Sequence, residues 1–213
     1  MKRFKQLIQS MPLNEQAFKS KKSTWKKYID GNSEVSEILK FIFDGNSEVQ
    51  ISRKDLFVIT EEKNLKYFIV AVILWGYPRG MRGNHFENLV LNIDSIVEAL
   101  KEAKDGIPEW TIHYKKIEEI HGLGLSTYSK FLYFLNVKVE GYTALILDNR
   151  ITNTFNERTF SEFIEIGKIR YDNAVSKYPL YLKIMDTLSE ELHTDSGKLE
   201  MFIFEFGQNL KLK

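Results

Sequence analysis

A mainly α-helical protein is predicted by three features of the sequence. Apolar residues recur at helical spacing through most of the chain, glycine- and asparagine-containing turns separate those stretches at short intervals, and only one short run has strand-like composition. At 213 residues and 25.0 kDa, with 43% hydrophobic and 28% charged residues, the chain can bury a proper core as a single helical domain spanning 1–213 or as two small lobes with a cleft between them.

The periodicity predicts helices over 35–43, 65–75, 93–104, 117–120, 128–135, 171–188 and 198–210. Turns and helix starts are favoured between them at Asp30-Gly31-Asn32, Asp44-Gly45-Asn46, Gly76-Tyr77-Pro78, Gly80, Gly83, Asp105-Gly106, Gly122, Gly124 and Gly141. The hexapeptide Asp-Gly-Asn-Ser-Glu-Val occurs at 30–35 and again at 44–49. Lacking a third copy or a full calcium-loop pattern, both copies read as turns with helix-capping Asn or Ser. Residues 55–60, Asp-Leu-Phe-Val-Ile-Thr, have the content of a strand, so an extended segment or small hairpin is expected near 48–60.

Composition narrows the function. Without cysteine the chain can form no disulfide, thiolate zinc site or iron–sulfur cluster, and has no thiol nucleophile. The longest apolar run, 67–77, is too short for a bilayer, and no secretion signal is evident, so a cytoplasmic, nucleoid-associated location without membrane contact is expected. His85, His113, His121 and His193 lack metal-ligand spacing, and neither a Walker loop nor a Gly-x-Ser-x-Gly elbow occurs. The net charge of +1 conceals an asymmetry: residues 1–27 hold eight Lys or Arg against Glu15 alone. Lys19, Lys21, Lys22, Lys26 and Lys27, around Trp25, suit either phosphate contact or an ordinary solvated face.

The most informative stretch runs from Ile117 to Asp148 and contains Gly122-Leu123-Gly124-Leu125-Ser126 between two predicted helices. Glycines allow a sharp turn, Leu123 can plug the core, and amides near Gly122, Gly124 and Ser126 can face a phosphate at a helix start. An ordinary helix–helix turn would have the same pattern.

Its context resembles the helix-hairpin-helix DNA glycosylase superfamily, in which the hairpin is followed by an essential aspartate. Residues 117–135 resemble the hairpin, and Tyr142-Thr143-Ala144-Leu145-Ile146-Leu147-Asp148-Asn149-Arg150-Ile151 resembles the aspartate segment. Ser129-Lys130-Phe131-Leu132-Tyr133-Phe134 resembles the Thr-Lys-x-Leu-Tyr-Phe pattern of bacterial proteins similar to 8-oxoguanine glycosylases. Residues 71–83 resemble that branch's helix and basic loop, and 199–207 its C-terminal helix. The likeness covers about 65–210, leaving the basic 1–60 unassigned.

The resemblance implies a glycosylase that extrudes a modified base, such as 8-oxoguanine, from double-stranded DNA and cleaves its N-glycosidic bond. Asp148 would stabilise the oxocarbenium-like sugar, and Asp before Asn-Arg-Ile also suits a helix cap. Lys130 would be either a nucleophile, adding lyase activity, or a phosphate or salt-bridge contact. Most lysine-using members carry their lysine where Ser126 stands, and many have proline where His121 stands. Arg79 and Arg82 would hold the unpaired base or phosphates, Tyr77 would wedge or stack, Trp75 would pack nearer the core, and Arg150 would contact phosphate. Phe202 and Phe206, four apart, offer either a base sandwich or a core pair. No cofactor is required, although carbonyls around His121, Leu123 and Ser126 could hold a monovalent cation, and a monomer is expected. A non-catalytic DNA-binding module and a structural helical protein are the competing readings.

Overall fold

A computed structural model, describing residues 1–61 and 64–210, is mainly helical. After α1 (Lys5–Gln9), strand β1 (Ala17–Lys21) leads directly into α2 (Lys22–Ile29) and α3 (Glu34–Phe43). Strand β2 (Glu48–Ser52) then pairs antiparallel with β1, with Lys21 opposite Glu48 and Ala17 opposite Ser52. Next come α4 (Arg53–Glu61), α5 (Leu65–Gly76), α6 (His85–Leu91), α7 (Ile93–Ala103), α8 (Trp110–Glu118) and α9 (Leu125–Phe134). A minimal antiparallel pair, β3 (Lys138–Val139) and β4 (Tyr142–Thr143), precedes α10 (Asn149–Asn156), α11 (Ala174–Leu192) and α12 (Ser196–Phe206).

Helix α5 is the central element because its sequence has no polar face: every residue from Phe68 to Trp75 is buried. It touches α3, α4, α7, α9 and both strands of the first pair. Among the described residues, no helix is long and apolar enough to cross a membrane.

Two local expectations are corrected. Residues 55–60 form part of helix α4, while the extended segment ends at Ser52. A reciprocal cap explains the switch: Asp55 N–H donates to Ser52 Oγ at 3.1 Å, and Ser52 N–H donates to Asp55 Oδ2 at 2.8 Å. Leu56 is thereby buried, and Phe57 packs against Tyr133 and Phe134.

The repeated hexapeptide adopts two structures. In the first copy Ser33 caps α3 through a capping box with Ser36, as expected. In the second, Asp44 ends α3 in the left-handed region at φ 41°, and the chain enters β2 instead of a helix. Downstream residues decide the difference: Ser36-Glu37-Ile38-Leu39-Lys40 continues a helix, whereas Val49-Gln50-Ile51 finds a strand partner in β1.

Candidate active site

The turn between α8 and α9 is defined by Gly122 and Leu123. Gly122 has φ +90°, and a Cβ there would lie 2.9 Å from both His85 O and Asn88 Cβ, so the turn packs tightly on α6. Leu123 is buried between the helices. Gly124 caps α9 through its backbone, and no side chain caps the first turn, which leaves the early amides near the half-exposed Ser126 available to an outside acceptor.

Lys130 lies one turn into α9 and is only 4% exposed. Its Nζ donates to Ser126 O at 2.8 Å and Ser126 Oγ at 3.1 Å, and lies 5.2 Å from the Tyr77 ring centroid. The lysine stem runs over the end of α5, where a Cβ on Gly76 would come within 2.9 Å of Lys130 Cδ. Glycine there makes the close approach possible. Tyr77, just beyond α5, is half-buried and its hydroxyl shares a 2.6 Å hydrogen bond with Thr127, fastening the loop to α9. The Ser126 carbonyl, counted among the prospective cation ligands, is therefore turned towards Lys130.

Asp148 is positioned by a buried extended segment. The carbonyls of Leu145 and Ile146 accept hydrogen bonds from Tyr178 and Tyr181 of α11, at 2.7 and 2.9 Å. Leu147 N–H donates to Ser129 Oγ of α9 at 3.1 Å, which ties the segment to the helix that carries Lys130. Asp148 then caps α10, its Oδ1 accepting from Arg150 N–H at 2.9 Å and Ile151 N–H at 3.1 Å. Ser129, Tyr178 and Tyr181 have no sequence pattern that marks them as positioning residues.

Lys130 and Asp148 line one cavity of about 240 Å³. Its walls include Phe18, Trp75 and Phe204; the Phe18 centroid lies 5.4 Å from that of Trp75 and 6.4 Å from that of Phe204. Its interior also contains Gln16, Arg53 and Glu200. Arg53 and Glu200 are 1% and 0% exposed, with Arg53 Nη2 2.8 Å from Glu200 Oε2. Gln16 Oε1 accepts from Arg53 Nε at 2.6 Å. Burial pushes the Glu200 carboxyl above its ordinary value, while Arg53 opposes the rise.

The other site candidates divide into two groups. Arg150 is exposed at the cavity mouth with its guanidinium 4.5 Å from the Phe204 ring centroid, while Arg79 and Arg82 are exposed on the loop after α5 and do not line the cavity. Phe202 is a core residue, fully buried beside Phe4 and Phe160; neither it nor the partly exposed Phe206 lines the cavity. The aromatic wall from α12 is Phe204, because helical geometry turns Phe202 and Phe206 to another face.

A sequence model of the family described as "Putative 8-oxoguanine DNA glycosylase OGG-like protein" matches residues 12–204. The chain belongs to this family. No curated protein and no solved structure matches it. The OGG-like match begins well before the apolar helix α5 and includes Gln16, Phe18 and Arg53, which line the cavity from the N-terminal part of the chain. Membership implies DNA binding and a connection to base repair.

Proposed function

We propose that the protein is a DNA glycosylase that draws an oxidised purine, such as 8-oxoguanine, out of duplex DNA and cleaves its N-glycosidic bond. The observation that carries this reading is the convergence of Lys130 and Asp148 on one aromatic-walled cavity. That cavity is on the scale of a single planar ring system, smaller than the usual range for drug-sized ligands. In the proposed reaction, the C1′–N9 bonding pair departs with the base, which takes up a proton, and positive charge develops on the sugar. Asp148 stabilises that charge. Its helix cap supports the role by fixing the carboxylate through Oδ1.

Lys130, as its free amine, forms a bond to C1′ as the base leaves. The resulting adduct opens to a Schiff base, from which β-elimination breaks the 3′ C–O bond. The Gly76 surface limits the positions open to the lysine stem. The reading is tested with duplexes carrying one 8-oxoguanine opposite each base, incubated with and without borohydride and separated on denaturing gels. Base release supports it; absence of release with every opposite base would overturn it for this lesion.

Gly76→Ala provides a test of the lysine geometry. The added methyl displaces the stem, so borohydride trapping should fall about ten- to a hundredfold while thermal melting stays close to wild type. Unchanged trapping would show that the contact does not position the amine.

The DNA-facing surface is proposed to extend from the α8–α9 turn across α6 to the Arg79–Arg82 loop and α2. Supporting contacts are Gly122 with α6, Phe86 with Trp25 and Tyr28, and the loop with α2 at Gly80 and Thr24. Lys19 and Lys27 pair with Glu48 and Glu87, whereas Lys21, Lys22 and Lys26 are in no ion pair among the described residues. Replacing both Lys22 and Lys26 by Gln should lower the slope of log affinity against log salt by about two, with little change in lesion preference. An unchanged slope would exclude α2 from the interface.

A further inference from the structure

Inside the cavity two basic side chains, Arg53 and Lys130, meet two acids, Glu200 and Asp148, and only one of the two ion pairs is made. Arg53 Nη2 lies 2.8 Å from Glu200 Oε2, whereas among the described residues no ion pair joins Lys130 to Asp148. Opposite charges sharing a largely buried site attract strongly, so a competing contact must hold this second pair apart. The surroundings of Lys130 identify it. Both hydrogen-bond acceptors of its Nζ among the described residues belong to Ser126, the carbonyl at 2.8 Å and the hydroxyl at 3.1 Å. The Tyr77 ring, fastened to Thr127, flanks the amine at 5.2 Å.

We infer that Ser126 is a positioning residue that holds the Lys130 amine clear of Asp148, leaving the carboxylate for the sugar and the amine for C1′. The number of acceptors matters. A neutral amine has two N–H groups and one lone pair, so the two oxygens of Ser126 engage both hydrogens and leave the lone pair unengaged. An amine drawn onto Asp148 would instead be held as an ammonium, with no lone pair to attack, and the carboxylate would be spent on it. Removing the hydroxyl leaves the carbonyl as the lone anchor and tips the balance towards Asp148, because a hydrogen bond to a carboxylate is the stronger one.

This assignment rests on the reading of Lys130 as the attacking group. It also connects two parts of the site, since Ser126 lies in the first turn of α9, whose early amides no side chain caps. The turn proposed to face the DNA backbone and the anchor of the amine are therefore one piece of chain. The backbone amide serves the first role and the side-chain hydroxyl the second, so substitution at Ser126 separates them.

The test uses the whole protein and is read at Lys130 itself. Reductive methylation with formaldehyde and cyanoborohydride, followed by mass spectrometry of the peptide carrying Lys130, should be at least about fivefold slower in Ser126→Ala, because the released amine pairs with Asp148. The rate should return to within about twofold of native in Ser126→Ala/Asp148→Asn, where only a neutral amide faces the amine, and in Ser126→Thr, which keeps the hydroxyl. A duplex with a preformed abasic site then presents the sugar aldehyde with no base to release. Borohydride trapping on it should fall at least about tenfold in Ser126→Ala and recover in Ser126→Thr, while affinity for a stable abasic analogue stays within about threefold, since the α9 amides are untouched. Methylation of Lys130 that is unchanged or faster in Ser126→Ala, or slowing that persists in the double variant, would overturn the inference. The 8-oxoguanine duplex assay is read separately: the expected methylation pattern without base release or trapping removes the glycosylase reading and retains Ser126 as the anchor of the amine, and release with trapping but an unchanged methylation rate does the reverse.

Discussion

Asp148→Asn is expected to lower the rate of base release from an 8-oxoguanine duplex by at least about a hundredfold in single-turnover assays. The substitution is nearly isosteric, and asparagine is also a good helix cap, so the hydrogen bonds to Arg150 and Ile151 can persist and the melting temperature should change little. Affinity for a duplex containing a stable abasic analogue should remain close to wild type, because the substitution leaves the phosphate contacts in place. This pair of readouts separates an enzyme from a DNA-binding module that lacks chemistry. Loss of release with retained affinity supports catalysis by Asp148, whereas full activity in the variant would remove the carboxylate from the mechanism.

Lys130→Ala is expected to abolish the borohydride-trapped adduct altogether, since among the described residues no other amine lines the cavity beside Asp148. The consequence for base release is the more informative measurement. If release stops with trapping, the amine is the attacking group. If release continues within about tenfold of wild type, water attacks and Lys130 contributes position and charge. Removing the side chain also deprives Ser126 O of a donor and leaves a void over Gly76, so Lys130→Gln, closer in length and still a hydrogen-bond donor, controls for local collapse.

The helical architecture, and the segments that carry Lys130 and Asp148 to one cavity, were legible where the signal is local. The nearly continuous apolar run of α5 identifies a buried helix, and the Gly122–Ser126 turn and Asp148 segment have spacings readable within a few dozen residues. The N-terminal half of the cavity was not legible in this way. Gln16, Phe18 and Arg53 reach it only through strand pairing and packing on α5, which no periodicity reveals. One clue lay in α12, where Glu200 interrupts Leu199-Glu-Met-Phe-Ile-Phe204. An acid among apolar residues at helical spacing needs a buried cation, and Arg53 supplies it. The strand expected at 55–60 failed because the capping pair Ser52 and Asp55 outweighed β-branched composition.

The cavity is assembled from both ends of the chain. Gln16 donates to Glu205 across 189 residues of sequence, and Lys198 donates to the carbonyl of Gln9 across the same separation. Contacts of such long range form late, because a large loop must close before they contribute anything. During synthesis, the turn and the lysine helix emerge long before the last helix that completes the pocket. An unfinished chain therefore lacks α12 and with it Glu200 and Phe204, so the cavity is not closed until that helix has been added.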